Sequence, residues 1–248
     1  RCSACCLVSS TAPEGSTAGG PSLTPYFFIL FGMSAGLASI IVLLAELRDQ
    51  LGFSETGIGL AVGSGFGAAF VACLVMAPHA DRGRAPAMLR AGLALAVAGM
   101  VLLAVGQELW HYVAGRIVFG FALGTAGPAA RRTVIVADPA NLGRNIGRLG
   151  AWDVGGFVAG PVIAAGLTAV GGFRFTFWTM AGALALLLPV AFRAQPDVAA
   201  QDQERLGLRG LLRIRRLIGA FFMVAAYFVF IGAFEAVWVL EMDTRGAS

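Results

Sequence analysis

The sequence predicts an all-α, polytopic membrane protein, and three observations predict it. The 248-residue chain is 58% apolar and only 13% charged, which is not the composition of a soluble domain. Its apolar residues gather in seven stretches close to the ~20 residues that a helix rising ~1.5 Å per residue needs to cross ~30 Å of hydrocarbon. The short alternating strands that a membrane barrel requires are absent from the pattern.

Residues 1–25, rich in Ser, Thr, Gly and Pro, read as a disordered tail. The first span, near 26–46, is too long for a signal-peptide core, and no small-residue cleavage motif closes it. Five more spans follow near 57–77, 88–106, 111–134, 150–170 and 174–192, joined by short loops, so that 26–192 form one six-span bundle. Residues 193–216 make a longer charged connection, which reads as a domain boundary on the inner side. Within it Arg205, Arg209, Arg213 and Arg216 recur at helical spacing beside Leu208, Leu211 and Leu212, a pattern that fits a surface helix or a solvated linker helix. A seventh span near 217–240 opens a second bundle, of which 217–248 are the only part in this sequence.

Charge tests this count. Three alternate loops carry Arg82, Arg84, Arg90, then Arg131, Arg132, Arg144, Arg148, then Arg193, Arg205, Arg209, Arg213, Arg215 and Arg216, whereas the intervening loops carry only Arg48, Arg174 and Arg245. By the positive-inside rule, the tail and the arginine-rich loops are cytoplasmic. The formal charge of +4 is therefore topology rather than a nucleic-acid surface. All 18 basic residues are arginine, which excludes a Walker A loop and a Schiff-base lysine, so any solute movement is not driven by ATP hydrolysed in this chain. Lysine avoidance with abundant Ala, Gly and Arg points to a GC-rich coding sequence, a bacterial source and an inner membrane. Cys2, Cys5 and Cys6 lie in the tail and Cys73 stands alone in a span, with no second CxxC pair and no nearby histidine, so no metal site and no cofactor is expected.

Several motifs carry a resemblance. Between spans two and three, Ala77-Pro-His-Ala-Asp81-Arg82-Gly83-Arg84 resembles the signature loop Gly-x-x-x-Asp-Arg-x-Gly-Arg-Arg of the major facilitator superfamily, with Ala77 for the first glycine, one residue fewer before Gly83, and Ala85 for the last arginine. Arg116 with Gly120 resembles the family's Arg-x-x-x-Gly in span four, and Asp138 with Arg144 and Arg148 its following loop. Gly156-x-x-x-Gly160-Pro161 resembles the span-five motif of the drug/proton antiporter-like branch, with Ala164 and Ala165 where two glycines would complete it. Gly172-Phe-Arg174-Phe-Thr-Phe177 resembles the family's entry to span six, and Gly232-Ala-Phe-Glu235 its seventh span.

The resemblance implies two six-helix bundles that alternately expose a central cavity, a secondary transporter rather than an enzyme, and proton-coupled efflux of small, fairly apolar molecules. The bilayer, a small-molecule substrate and a proton gradient are the implied partners, together with a C-terminal bundle missing from this sequence. A truncated, non-transporting membrane protein is the competing reading. The loop Asp81, Arg82, Gly83, Arg84 is implied to latch the inner gate, with Asp138 holding Arg84. Arg116, a charge inside hydrocarbon, is expected to face a cavity or a carboxylate. Glu46, Asp153 and Glu235 are the candidate proton-coupling carboxylates, Glu235 being the best buried. Gly156, Gly160 and Pro161 are expected to admit a close neighbour and bend their helix. The string Gly32-Met-Ser34-Ala-Gly36 fits the nucleophile-elbow spacing, but it sits mid-span with no strand before it and no histidine in reach, so it reads as packing, and an intramembrane hydrolase is a distant third.

Overall fold

The computed structural model describes residues 23–192 and the helical positions 218, 219, 222, 223 and 226, apart from the side chains of 41, 42, 44–49, 51 and 55. Glu235, the tail to residue 22 and the linker 193–216 lie outside the described residues, as does most of the seventh span. The chain divides into two compact units, Arg1–Ala200 and Gln201–Ser248, and the elements below belong to the first.

All regular secondary structure among its described residues is helical: α1 (Thr24–Leu51), α2 (Glu55–His79), a π-type turn (Ala80–Arg84), α3 (Ala85–Val105), α4 (Leu109–Ala137), a 3-10 turn (Pro139–Asn141) and α5 (Leu142–Phe192). Local chemistry sets several of the boundaries. Ser54, in extended backbone, accepts from the Gly57 amide at 3.2 Å and so caps α2. Gly83, at φ 75°, supplies the left-handed residue that separates α2 from α3, and Pro86 sits in the first turn of α3, where a missing N–H costs nothing. Glu108 and His111 cap α4 reciprocally.

α5 combines the two spans expected near 150–170 and 174–192. Its 51 residues would be ~76 Å long if straight, over twice the hydrocarbon thickness. Gly172 breaks it, at φ 77° and ψ 175°. Thr168 and Thr176, ~12 Å apart along a straight helix axis, bring their hydroxyls to 2.9 Å, so the chain doubles back between a first limb (142–171) and a second limb (173–192).

Neighbouring residues fix the direction of every segment. Gly65 backs onto Gly120 and Ala69 onto Gly124, so α2 and α4 run parallel. Phe31 backs onto Gly156 and Ala35 onto Gly160, so α1 and the first limb run parallel. Gly99 meets Gly115 and Phe119 while Gly92 meets Ala122 and Ala126, which makes α3 antiparallel to α4. Arg174 donates to Gly106 O at 3.2 Å, and Arg90 donates to Ala191 O at 3.2 Å and Phe192 O at 3.3 Å, which makes the second limb antiparallel to α3. Six helical segments thus cross in alternating directions. The start of α1, the turns at 80–84 and 138–141, and the end of α5 share one end of the bundle, called here the tail end. Gly52, Gly106 and Gly172 share the far end.

The core is built of Met33, Ile40, Leu89, Leu93, Phe119 and Phe177 with many alanines, all at most 3% exposed. Large apolar side chains also cover the outside: Phe70, Val158, Val170 and Leu186 are 64%, 66%, 81% and 79% exposed. Such a surface suits lipid rather than water. The continuous stretches Thr56–Val105, Leu109–Ala137 and Pro139–Phe192 are long and apolar enough to cross a membrane, the first and third carrying the breaks at Gly83 and Gly172.

Candidate functional site

Three helices contribute to one polar site in the tail-end half of the bundle. Ser34 on α1 donates its hydroxyl to Asp153 Oδ1. Arg131 on α4 donates from Nη2 to Asp153 Oδ2 at 3.2 Å. Asp153 lies ~16 Å along α5 from Leu142, and Ser34 ~15 Å along α1 from Thr24, so the carboxylate sits well inside the bundle length. Ser34 is 8% exposed, whereas the side chains of Asp153 and Arg131 are 30% and 52% exposed, so one side of the site is closed and the other open.

The local folding follows from small residues. Gly156 and Gly160 press the first limb against the Phe31 and Ala35 carbonyls, and that approach brings Asp153, one turn earlier, within reach of Ser34. Ser39 Oγ donates to Gly160 O at 3.0 Å and fastens the same pair of helices further along. Pro161 lies within the limb, where the chain continues as helix.

Arg132, next in sequence to Arg131, turns the other way and pairs with Asp81 at 3.6 Å. The tip of α4 therefore holds both the first limb and the 80–84 turn through adjacent arginines. Arg82 and Arg84 are exposed in that turn. Asp138 does not pair with Arg84 among the described residues. Its carboxylate instead accepts from Asn145 Nδ2 at 2.9 Å, from Asn141 Nδ2 at 3.1 Å and from the Asn141 amide at 3.2 Å, capping the 3-10 turn that leads into α5. Those donors, Asn145 first and then Asn141, with Arg144 nearby, hold its pKa below the ordinary aspartate value.

Arg116 lies near the far end, 1% exposed. Its guanidinium lies against Gly65, donates to Ala61 O and Val62 O at 3.3 Å each, and sits 5.6 Å from the Phe66 ring centroid. The sequence predicts a cavity or a carboxylate for it; among the described residues no carboxylate pairs with it, and α2 backbone and an aromatic face surround the guanidinium instead. Glu46 lies in α1, its side chain outside the described residues.

Sequence reasoning missed Ser34, Arg131 and Arg132 as site residues. Ser34 was hidden in a glycine pattern whose glycines do pack, Gly32 against Leu184 and Leu187 and Gly36 against Met100 and Phe119. The two arginines read as topology markers because they group with the arginines of the following loop, although they fall within the last turn of the predicted span and inside α4.

Alternating membrane-length helices with a charged site inside the bundle define a multi-pass helical membrane protein. The family model described as Major Facilitator Superfamily matches residues 26–248, and the chain belongs to that superfamily. It is accordingly a membrane transporter, in a superfamily made up of transporters rather than enzymes. No curated protein matches the chain.

Proposed function

We propose that the protein is a secondary transporter that works by alternating access and exports small, fairly apolar molecules in exchange for protons, with Asp153 as a coupling group. One observation carries the reading: the Asp153 carboxylate is shared between Ser34 on α1 and Arg131 on α4, on the open side of the bundle. Protonation of Asp153 removes the negative charge that holds Arg131, so loading a proton loosens α4 from the first limb. Deprotonation restores the pair. A proton thereby gains unequal affinity for two arrangements of the bundle, which is what coupling requires. In this reading the 80–84 turn, held by Asp81 and Arg132 to the same tip of α4, forms part of the inner gate, and the tail end faces the cytoplasm.

Proteoliposomes containing the protein, loaded with a lipophilic cationic dye such as ethidium, test the proposal under an imposed pH gradient. Dye movement is expected to follow the gradient and to stop when a protonophore collapses it. In Asp153→Asn the gradient-driven component disappears. Flux of a panel of lipophilic dyes that ignores the gradient in the unaltered protein overturns the reading.

A further inference from the structure

The first limb of α5 carries an apolar groove on the face turned away from the Asp153 site. Ala151, Val154, Gly155, Val158 and Val162 line it with their neighbours, and it outlines about 710 Å³. Val154, Val158 and Val162 are 61%, 66% and 73% exposed. The groove spans ~18 Å along the helix from Ala151 to Ile163, slightly more than the ~15 Å of one hydrocarbon leaflet.

Two arginines stand on the same face, beyond the tail end of the groove. At 100° per residue, Arg144 and Arg148 fall within about 60° of the line through Ala151, Val158 and Val162, one to two turns before the groove begins. The helix is unbroken from Leu142 to Gly172, so this angular relation is kept throughout. Both arginines are exposed. The Arg148 guanidinium lies 5.4 Å from the Phe27 ring centroid, a cation–π contact that steadies it at this corner. Among the described residues the acid at this corner is Asp138, which accepts from Asn141 and Asn145 and stays ionised near Arg144, so two arginines face one carboxylate and the balance is positive. The corner is cationic, and the wall below it is apolar.

We infer that this face binds an anionic phospholipid of the tail-end leaflet, its phosphate held by Arg144 and Arg148 and one acyl chain lying along Val154, Val158 and Val162. Guanidinium donors match phosphate oxygens in geometry as well as charge. The proposal requires only that the protein spans a bilayer and is independent of proton coupling.

Native mass spectrometry of the detergent-purified protein, titrated with dioleoyl phosphatidylglycerol or dioleoyl phosphatidylcholine, tests it. The unaltered protein is expected to prefer the anionic lipid by roughly thirtyfold, each arginine contributing about a factor of five. The double variant R144Q/R148Q brings the ratio close to one, while R82Q/R84Q, which removes the same charge from the 80–84 turn, keeps it. Val158→Trp, which fills the groove, weakens both lipids alike. No anionic preference in the unaltered protein, or its equal loss in R82Q/R84Q, overturns the site in favour of diffuse charge. Unchanged lipid binding in Val158→Trp, or self-association of the protein that Val158→Trp abolishes, overturns the groove as an acyl-chain site.

Discussion

Arg116 occupies the space that a side chain on Gly65 would take: a Cβ there would lie 2.9 Å from Arg116 Nε and 3.1 Å from its Cζ. The absence of a side chain on α2 is thus what lets a cation from α4 lie flat on a neighbouring backbone inside the bundle.

The planar fork of Arg116 reaches two successive carbonyls, Ala61 O and Val62 O. A lysine presents a single point and cannot span both. Arg116→Lys is expected to cost about 1–3 kcal/mol in a denaturation experiment in detergent, although charge is preserved. An unchanged unfolding midpoint would show that charge, not the fork, is what the site requires.

Glycines that look alike in sequence divide sharply in space. A Cβ on Gly120 would collide with the Gly65 carbonyl, whereas one on Gly63 meets nothing within 4 Å. Gly120→Ala should therefore destabilise by at least about 1–3 kcal/mol through overpacking against backbone, with Gly63→Ala leaving thermal stability essentially unchanged. Equal shifts in melting temperature would contradict the packing of α2 on α4.

Replacing Asp153 or Arg131 should separate stability from transport. Both side chains are partly exposed, at 30% and 52%, so a double-mutant cycle over Asp153→Asn and Arg131→Gln is expected to give a coupling below about 1 kcal/mol. Gradient-driven flux should nevertheless be lost in either variant. A large stability coupling with intact flux would make the pair structural.

Asp138 gives a pH signature outside the bilayer. Its folded-state pKa is depressed by the Asn145 and Asn141 donors, so the cap contributes fully above the ordinary aspartate pKa and is lost as pH falls through the lower, folded value. Hydrogen exchange at the Asn141 amide should accelerate across that acidic window, and Asp138→Asn should flatten the dependence.

Gly172 lies at φ 77° and ψ 175°, a region open essentially to glycine alone, and a Cβ there would meet nothing within 4 Å. Gly172→Ala should cost about 1–3 kcal/mol from backbone strain without any clash. Gly52, at φ 67°, also has open space around it, and Gly52→Asn should be milder because asparagine tolerates the left-handed region. Circular dichroism melts of the two variants compare them directly.

How much of this was written in the residues varies with the range of the interaction. Apolar run length located the six segments, with ends displaced by up to eight residues, and the alternation of arginine matched the grouping of turns at the tail end. Hydropathy ends where the helix does not: α2, α4 and the first limb run two to eight residues beyond the predicted spans at one end or the other, because polar first and last turns still satisfy their backbone within a helix. Asp153 and Arg116 were recognisable as charges in apolar surroundings. Their partners were not, since Ser34 and Arg131 reach Asp153 only through packing between helices distant in sequence. Arg116 shows the sharper limit, because backbone carbonyls are present at every residue and leave no mark in a sequence.

The parallel pairing of α1 with the first limb also sets a timetable for synthesis. Ser34 and Asp153 are 119 residues apart, and at about 5–20 residues per second some 6–24 s separate their emergence from the ribosome. Through that interval α1 is already in the lipid with Ser34 and the carbonyls of Phe31 and Ala35 facing no permanent neighbour. Whatever shelters that stripe during insertion, the translocation machinery or a transient lipid packing, must yield it when Gly156 and Gly160 arrive. Among the described helices, α1 therefore waits longest for its partners.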